Sequence, residues 1–255
     1  MNWKVAVPVL LLTHGLAGGT GFFVAKQLLA KDPNWVDGNR KTDAALNQLD
    51  QAAAATAVAG AAEPPAGWQP EVARFSILDY GISRVSFTSD APLEQIVGTT
   101  TKVTGSLSVD SAELAKSKSG PIEVEVGTLK TGNDTRDGHL QGEGWFDTEK
   151  HPKAVFTLER VEAVGGLWPG KTADVTVHGK LAIKGIEKAI SAQASVGWFA
   201  ASEKFAKFNI KGDVLRIKTQ FSVTLADFGM SAEVIGQKVA EVVQVDLNLT
   251  AVSAQ

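Results

Sequence analysis

Side chains of the types that bind metals and transfer protons are concentrated in one stretch of the sequence, residues 131–156. It contains Asp134, Asp137, His139 and His151, and all four are of types that bind zinc or manganese. Their spacing matches no compact metal-binding motif, and the chain has no cysteine to supply a thiolate ligand. We therefore assign no metal ligand and expect no cofactor.

Glu143 and Asp147 in the same stretch could pair as a general acid and base. The chain shows no Ser–His–Asp order, no phosphate-binding loop and no dinucleotide fingerprint, so we assign no catalytic residue. We favour a structural role, in which Arg136, Asp137 and His139 brace a loop by hydrogen bonding to its backbone. The physical reason is that buried loop N–H and C=O groups must be paired.

The surrounding residues predict the elements that position this cluster. Gly132 follows an alternating apolar run, which indicates a left-handed turn at the end of a strand. Asn133 is typical of a helix N-cap and predicts a short helix after it. Trp145 and Phe146 then form a large apolar anchor beside the loop, and Pro152 marks the start of the next strand.

From residue 72 onward, apolar residues alternate with polar ones in many short runs separated by Gly, Pro and Asp. Val243, Val245, Leu247 and Leu249, for example, alternate with polar residues. This period of two over about eight runs predicts an antiparallel sheet with one apolar face per strand. The pattern is compatible with either a closed barrel or a sandwich, and it contains no α/β repeat.

Several ordered motifs resemble the signature of the YceI-like family. They are T-G-N-x-x-R-D-x-H-L from Thr131, W-F-D from Trp145, H-P-x-A-x-F from His151, VHGKLAIKGIEKAI from Val177 and LADFGM from Leu225. The resemblance covers residues 72–251. Many members carry a His where the first strand begins, but here the segment reads DYGISRVSF. No role of that His is transferred to this chain.

The resemblance implies an all-β fold, an eight-stranded antiparallel lipocalin-like barrel with a short helix. It also implies non-catalytic binding, transport or sequestration of a long-chain isoprenoid, quinone or fatty-acyl lipid in an apolar tunnel. We assign the lining of that tunnel to residues on the apolar faces of the predicted strands. They are Phe75, Ile77, Val85, Phe87, Val124, Val126, Phe156, Leu158, Val177, Leu181, Phe221, Val223, Val245 and Leu247.

Two other functions stay open on the sequence. One is a metal-assisted enzyme of lipid or isoprenoid processing that uses the Asp/His cluster, and the other is a membrane-tethered structural module with a filled barrel. The net charge of −3 and the pI of about 5.8 argue against a nucleic-acid partner, which would require a basic surface.

The N-terminal part predicts attachment to a membrane. Residues 5–25 contain no Asp, Glu, Lys or Arg and would be long enough as a helix to cross a bilayer. We interpret residues 1–31 as a transmembrane anchor or a signal segment, 32–70 as an Ala/Pro-rich spacer that is helical or disordered, and 71–255 as the lipid-binding barrel domain. The expected location is the periplasm, tethered to the inner membrane, with secretion after signal cleavage as the alternative. Gly15 and Gly19 would allow two anchors to pack as a homodimer.

Overall fold

The computed structural model describes residues 32–56, 63–79, 81–230 and 232–253. Two α-helices occur in these residues, α1 (Pro33–Ala54) and α2 (Asp134–Gln141). The strands are β1 (Val72–Ile77), β2 (Arg84–Asp90), β3 (Gln95–Thr100), β4 (Val103–Asp110), β5 (Lys118–Ser119), β6 (Ile122–Glu125), β7 (Lys153–Glu162), β8 (Thr172–Ile183), β9 (Ile186–Phe199), β10 (Val214–Thr224) and β11 (Val242–Ser253).

The described strands form one antiparallel sheet that closes on itself. Strand β1 pairs with residues 251–253 of β11, while β2 pairs with residues 244–248 of the same strand. On their other side β1 pairs with β4 and β2 pairs with β3. Because β1 and β2 pair with different parts of the same strand, they lie end to end and together fill one strand position of the barrel. Strands β3 and β4 together fill the next position in the same way. The ring therefore has eight positions in sequential order, which confirms the predicted eight-stranded barrel.

The two ends of the barrel differ. The connections β2–β3, β6–β7, β8–β9 and β10–β11 lie at one end, which we call the mouth. At the other end the interior is packed. Phe75 meets Trp198 edge-to-face with 5.3 Å between ring centroids, and Leu167 is fully buried beside them. Trp198 Nε1 donates a hydrogen bond to Asp213 (2.8 Å), so its one polar atom is satisfied.

Helix α1 packs against the outer wall of the barrel. Asp32 caps its first turn by accepting a hydrogen bond from the N–H of Asn34, with Pro33 at the first helical position. Leu49, Ala52 and Ala53 lie on one face and are buried against apolar residues at the β9–β10 connection. The predicted spacer over residues 32–70 thus contains a helix, and this helix is docked on the barrel.

A buried ion pair fixes the position of α1. Arg216 lies on the outer face of β10, is 4% exposed and donates from Nε and Nη2 to Asp50 of the helix (3.1 and 2.9 Å). Thr250, Asn248 and the carbonyl of Leu249 accept its remaining hydrogen bonds. This network satisfies a charge that would otherwise be costly to bury under the helix.

The environment of Asp50 shifts the pKa of its carboxyl group. Burial raises the pKa of the carboxyl, but the hydrogen bond from Lys218 and the charge and hydrogen bonds of Arg216 act in the opposite direction. The net pKa lies below its ordinary value. Burial lowers the pKa of the Arg216 guanidinium, and the charge of Asp50 partly offsets this effect.

The predicted anchor or signal segment, residues 1–31, lies outside the described residues. Within the described residues, no helix is long and apolar enough to cross a bilayer.

We expect Asp50→Asn to lower the free energy of unfolding by about 1–3 kcal/mol at neutral pH, because it leaves a buried guanidinium without its charged partner. A carboxyl whose pKa is lowered by folding stabilises the protein above its ordinary pKa of about 4, and this contribution is lost as the pH falls below that value. Denaturant titrations should therefore show the difference between wild type and variant shrinking from pH 7 towards pH 3.

Asp43→Asn is the matched control. Asp43 pairs with Arg84 but is half exposed, so its loss should cost under about 1 kcal/mol. Equal stability losses in the two variants would contradict the role assigned to the buried pair.

Candidate functional site

The interior of the barrel contains a cavity of about 580 Å³ that reaches the surface at the mouth. Most of its wall is made of Val, Ile, Leu, Phe and Ala side chains from the inward faces of the strands. Among the described residues, the ionisable side chains on the wall are Lys118 and four residues at the mouth, Glu94, Arg136, His139 and Lys238. The arrangement can surround a long apolar molecule and leave a polar end at the mouth.

Twelve of the fourteen residues predicted to line a tunnel lie on the wall of this cavity. They are Val85, Phe87, Val124, Val126, Phe156, Leu158, Val177, Leu181, Phe221, Val223, Val245 and Leu247. That any of them contacts a ligand stays a prediction.

Phe75 and Ile77 do not line the cavity, and their assignment to the tunnel wall is wrong. Both are 1% exposed and belong to the packed closed end. They lie on β1, the half of the first strand position that is farther from the mouth. Alternation identifies the inward face of a strand but not the height of a residue along the barrel axis.

Several wall residues were missed because no separate signal marks them. The inward faces of β4, β9 and β10 follow the same alternation and contribute Leu107, Val109, Ala192, Ala194 and Ile217. Lys118 and Ser119 reach the wall from β5, a strand of two residues that is too short to recognise by periodicity.

Two glycines explain how large rings line the wall without filling the interior. Gly98 of β3 lies opposite Phe87 of β2, and a Cβ added to Gly98 would lie 2.2 Å from the Phe87 ring. Gly179 of β8 lies under the ring of Phe156 in the same way, at 2.6 Å. The rings thus lie flat on the sheet where a neighbouring side chain is absent. Space along the barrel axis is left open.

The loop after β6 forms one side of the mouth. Gly132 has a positive φ of 77°, as the sequence predicted, and turns the chain into α2. The side chain of Asn133 caps α2 by accepting a hydrogen bond from the N–H of Arg136 (3.0 Å). Trp145 and Phe146 follow α2, line the cavity and pack against the apolar cluster at the mouth.

Asp137 and Arg136 brace this loop as predicted. Asp137 is 3% exposed and accepts hydrogen bonds from the backbone N–H and the hydroxyl of Thr131 (2.8 and 2.6 Å). Arg136 donates from Nε to the Thr131 hydroxyl (2.9 Å) and forms an ion pair with Glu94 of the β2–β3 turn. The braced loop is therefore tied to a second element of the mouth.

His139 does not brace the loop, and that prediction is wrong. Its side chain is exposed at the edge of the cavity, and no hydrogen bond of its imidazole occurs within the described part of the chain. The helical turn of α2 places Asp137 towards Thr131 but directs His139 to the mouth. The described residues also contain no group of three or more His, Cys, Asp or Glu side chains placed to hold a metal ion.

An up-and-down antiparallel barrel whose interior is an apolar cavity open at one end belongs to the lipocalin-like class of barrels. Residues 77–251 match the family model described as the YceI-like domain. The chain belongs to the YceI-like family.

Curated relatives support this assignment. A UPF0312 protein of Photorhabdus laumondii is 28% identical over 133 residues, which are 47% of this chain and 65% of the relative. A UPF0312 protein of Shewanella oneidensis is 30% identical over 101 residues, 39% of this chain and 48% of the relative. The chain thus spans less than two thirds of the length of these relatives.

Solved structures share the fold. Burkholderia cenocepacia BcnA superposes with a TM-score of 0.54 and 20% identity, covering 68% of this chain and 98% of BcnA. A polyisoprenoid binding domain from Saccharophagus degradans, implicated in plant cell wall breakdown, gives a TM-score of 0.52 and 17% identity. It covers 72% of this chain and 100% of that domain.

We expect Asp137→Ala to lower the free energy of unfolding by about 1–3 kcal/mol, because two buried donors of Thr131 lose their acceptor. His139→Ala is the control on the same helix and should leave the melting temperature nearly unchanged. Thermal unfolding of both variants tests the assignment. A larger loss in His139→Ala than in Asp137→Ala would contradict it.

Proposed function

We propose that the protein binds, transports or sequesters a long-chain isoprenoid, quinone or other lipid without catalysing a reaction. The observation that carries the proposal is the apolar cavity of about 580 Å³, with Glu94, Arg136, His139 and Lys238 at its mouth. The family is one of binding proteins, and a structural neighbour is a polyisoprenoid binding domain. Both support a lipid ligand for this chain.

The energetics favour a hydrocarbon chain as the occupant. Each methylene taken out of water contributes about 0.8 kcal/mol. A cavity of about 580 Å³ is of the size that binds small organic ligands, roughly 300–1,000 Å³. Ten or more buried methylenes would outweigh the cost of ordering the chain and of losing free translation.

The two alternative functions would each require a different structural feature. A structural module requires a filled barrel, and the cavity argues against it. A metal-assisted enzyme requires a ligand cluster, but the Asp/His residues named in the sequence do not converge in the described residues. Asp137 instead accepts two hydrogen bonds from Thr131. Turnover of a prenyl lipid on addition of a divalent metal would restore the enzyme as a candidate.

We further propose that residues 1–31 tether the protein to the inner membrane and that the barrel acts in the periplasm, with secretion after signal cleavage as the alternative. The apolar residues 5–25 support this location. Membrane fractionation and N-terminal sequencing test it. Intact protein in the cytosol, unchanged when export is blocked, would contradict both forms of the proposal.

Organic extraction of the purified full chain, followed by mass spectrometry, tests the lipid ligand directly. We expect a long-chain lipid in stoichiometric amount. Absence of lipid, together with no uptake of added prenyl lipid by the delipidated protein, would contradict the proposed function.

We expect Val223→Trp to reduce the lipid recovered per mole of protein several-fold. Val223 is buried on the cavity wall, so the added indole would occupy space that the hydrocarbon needs. The delipidated variant should melt close to wild type because the ring fills a void. The neighbouring Thr224 is exposed, and Thr224→Trp should change neither quantity. Severe destabilisation with unchanged lipid content would mean that the site is packed core.

We expect Gly98→Ala to shift the bound lipids towards shorter chains. The new methyl group would displace the Phe87 ring into the cavity, at a stability cost of about 1–3 kcal/mol. Gly138→Ala on α2 meets no atom within 4 Å and serves as the control. The chain-length distribution of the bound lipids, measured by mass spectrometry, should be altered only in Gly98→Ala. An unaltered distribution would contradict the conclusion that Gly98 keeps the Phe87 ring out of the cavity.

A further inference from the structure

The first described residue, Asp32, lies beside the mouth of the barrel. Its backbone N–H donates a hydrogen bond to the carbonyl of Gly132 (2.8 Å), and Trp35 Nε1 donates to the carbonyl of Lys130 (2.9 Å). Asn133, the next residue of that loop, lines the cavity. The N-terminus of α1 is therefore attached to the rim of the mouth.

The sequence that precedes Asp32 limits how far the mouth can lie from a membrane. The uncharged apolar residues 5–25 are separated from Asp32 by residues 26–31 only. Six residues span at most about 20 Å even when fully extended. If residues 5–25 are held in a bilayer, the mouth must lie close to its surface.

Solvent-exposed apolar side chains surround the mouth. Leu93 in the β2–β3 turn is 42% exposed, Val234 in the β10–β11 connection is 37% exposed, and Ile186 at the start of β9 is 37% exposed. The turns are adjacent, since the N–H of Leu93 donates to the carbonyl of Gln237 (3.1 Å) and Ile186 lies against Gly229. Val234 also lines the cavity. Exposed apolar residues that share one rim mark an interaction surface.

The charges of the rim are mixed. Lys184 lies in the β8–β9 turn, and Lys238 lies in the β10–β11 connection together with Asp227 and Glu233. Attraction to an anionic surface would be weak with this balance. Apolar contact with the interfacial region of a bilayer is the chemistry that the rim offers.

We propose that the mouth of the barrel docks on the surface of a lipid bilayer, with Leu93, Ile186 and Val234 in the interfacial layer. The proposal rests on the proposed tether and lipid ligand. In this orientation a lipid passes between the bilayer and the cavity without crossing water. The packed end of the barrel, which carries Val164, points away from the membrane.

The absence of cysteine allows a direct test of this orientation. Single-cysteine variants Val234→Cys and Val164→Cys of the full chain are labelled with an environment-sensitive fluorophore and reconstituted in phosphatidylcholine vesicles. Val164 is 95% exposed at the closed end and is the matched control. We expect the label at position 234 to be quenched by a lipid-attached quencher and to be several-fold less accessible to iodide than the label at position 164.

Shielding of position 234 should persist at about 1 M salt, where the Debye length is about 3 Å, because apolar contact holds the mouth in place. Leu93→Ser combined with Ile186→Ser in the Val234→Cys background should increase its iodide accessibility. Val72→Ser, an exposed change at the closed end, should not.

Three outcomes would overturn the proposal. They are equal iodide accessibility at the two positions, failure of the full chain to float with the vesicles, and equal shielding of position 234 in delipidated protein without vesicles, which would mean that the shielding does not come from the bilayer. Lipid is also extracted from the same preparations. This measurement distinguishes a failure of the docking proposal from a failure of the proposed lipid-binding function. A protein that carries lipid but leaves position 234 accessible would retain the carrier function and lose the docking.

Discussion

The structure depends on closing one sheet so that every strand can bury its apolar face without a second layer. The pairing of β11 with both β1 and β2 achieves this closure. A ring of eight strands has an interior at the limit of what side chains can fill. With Ala192 and Ala194 on β9 and the Phe87 and Phe156 rings lying over glycines, the wall leaves a cavity. The cavity is thus a direct consequence of how the sheet closes.

Helix α1 shows how a charged residue can determine where an element docks. Arg216 is on the outer face of the barrel, where the alternating pattern places polar side chains, yet α1 buries it. The helix can occupy only the position in which Asp50 meets the guanidinium, because any other position would leave a buried charge unpaired. The apolar contacts of Leu49 and Ala53 stabilise α1, but they are less directional. The same placement brings the N-terminus of the helix to the mouth.

At the mouth, polar side chains hold a loop in place. Asp137 accepts both Thr131 hydrogen bonds through Oδ1 and pairs with Lys130 through Oδ2, and the charge of Arg136 is balanced by Glu94. The ion pair joins the β6–β7 connection to the β2–β3 turn, so two sides of the opening are linked by a direct contact. An apolar cavity with a neutralised rim suits a ligand whose affinity comes from its hydrocarbon chain.

Local sequence patterns are enough to predict the strands, their inward faces, the cap of α2, the left-handed turn at Gly132 and, through ordered motifs, the family. These features depend on local backbone preferences and on a period of two, which can be recognised within ten residues. The same patterns do not predict the height of Phe75 and Ile77 along the barrel, the docking of α1, or which of Asp137 and His139 faces the loop backbone. Each of these depends on contacts between residues far apart in the chain. Asp50 and Arg216 are an example, because their pairing across 166 positions leaves no local pattern.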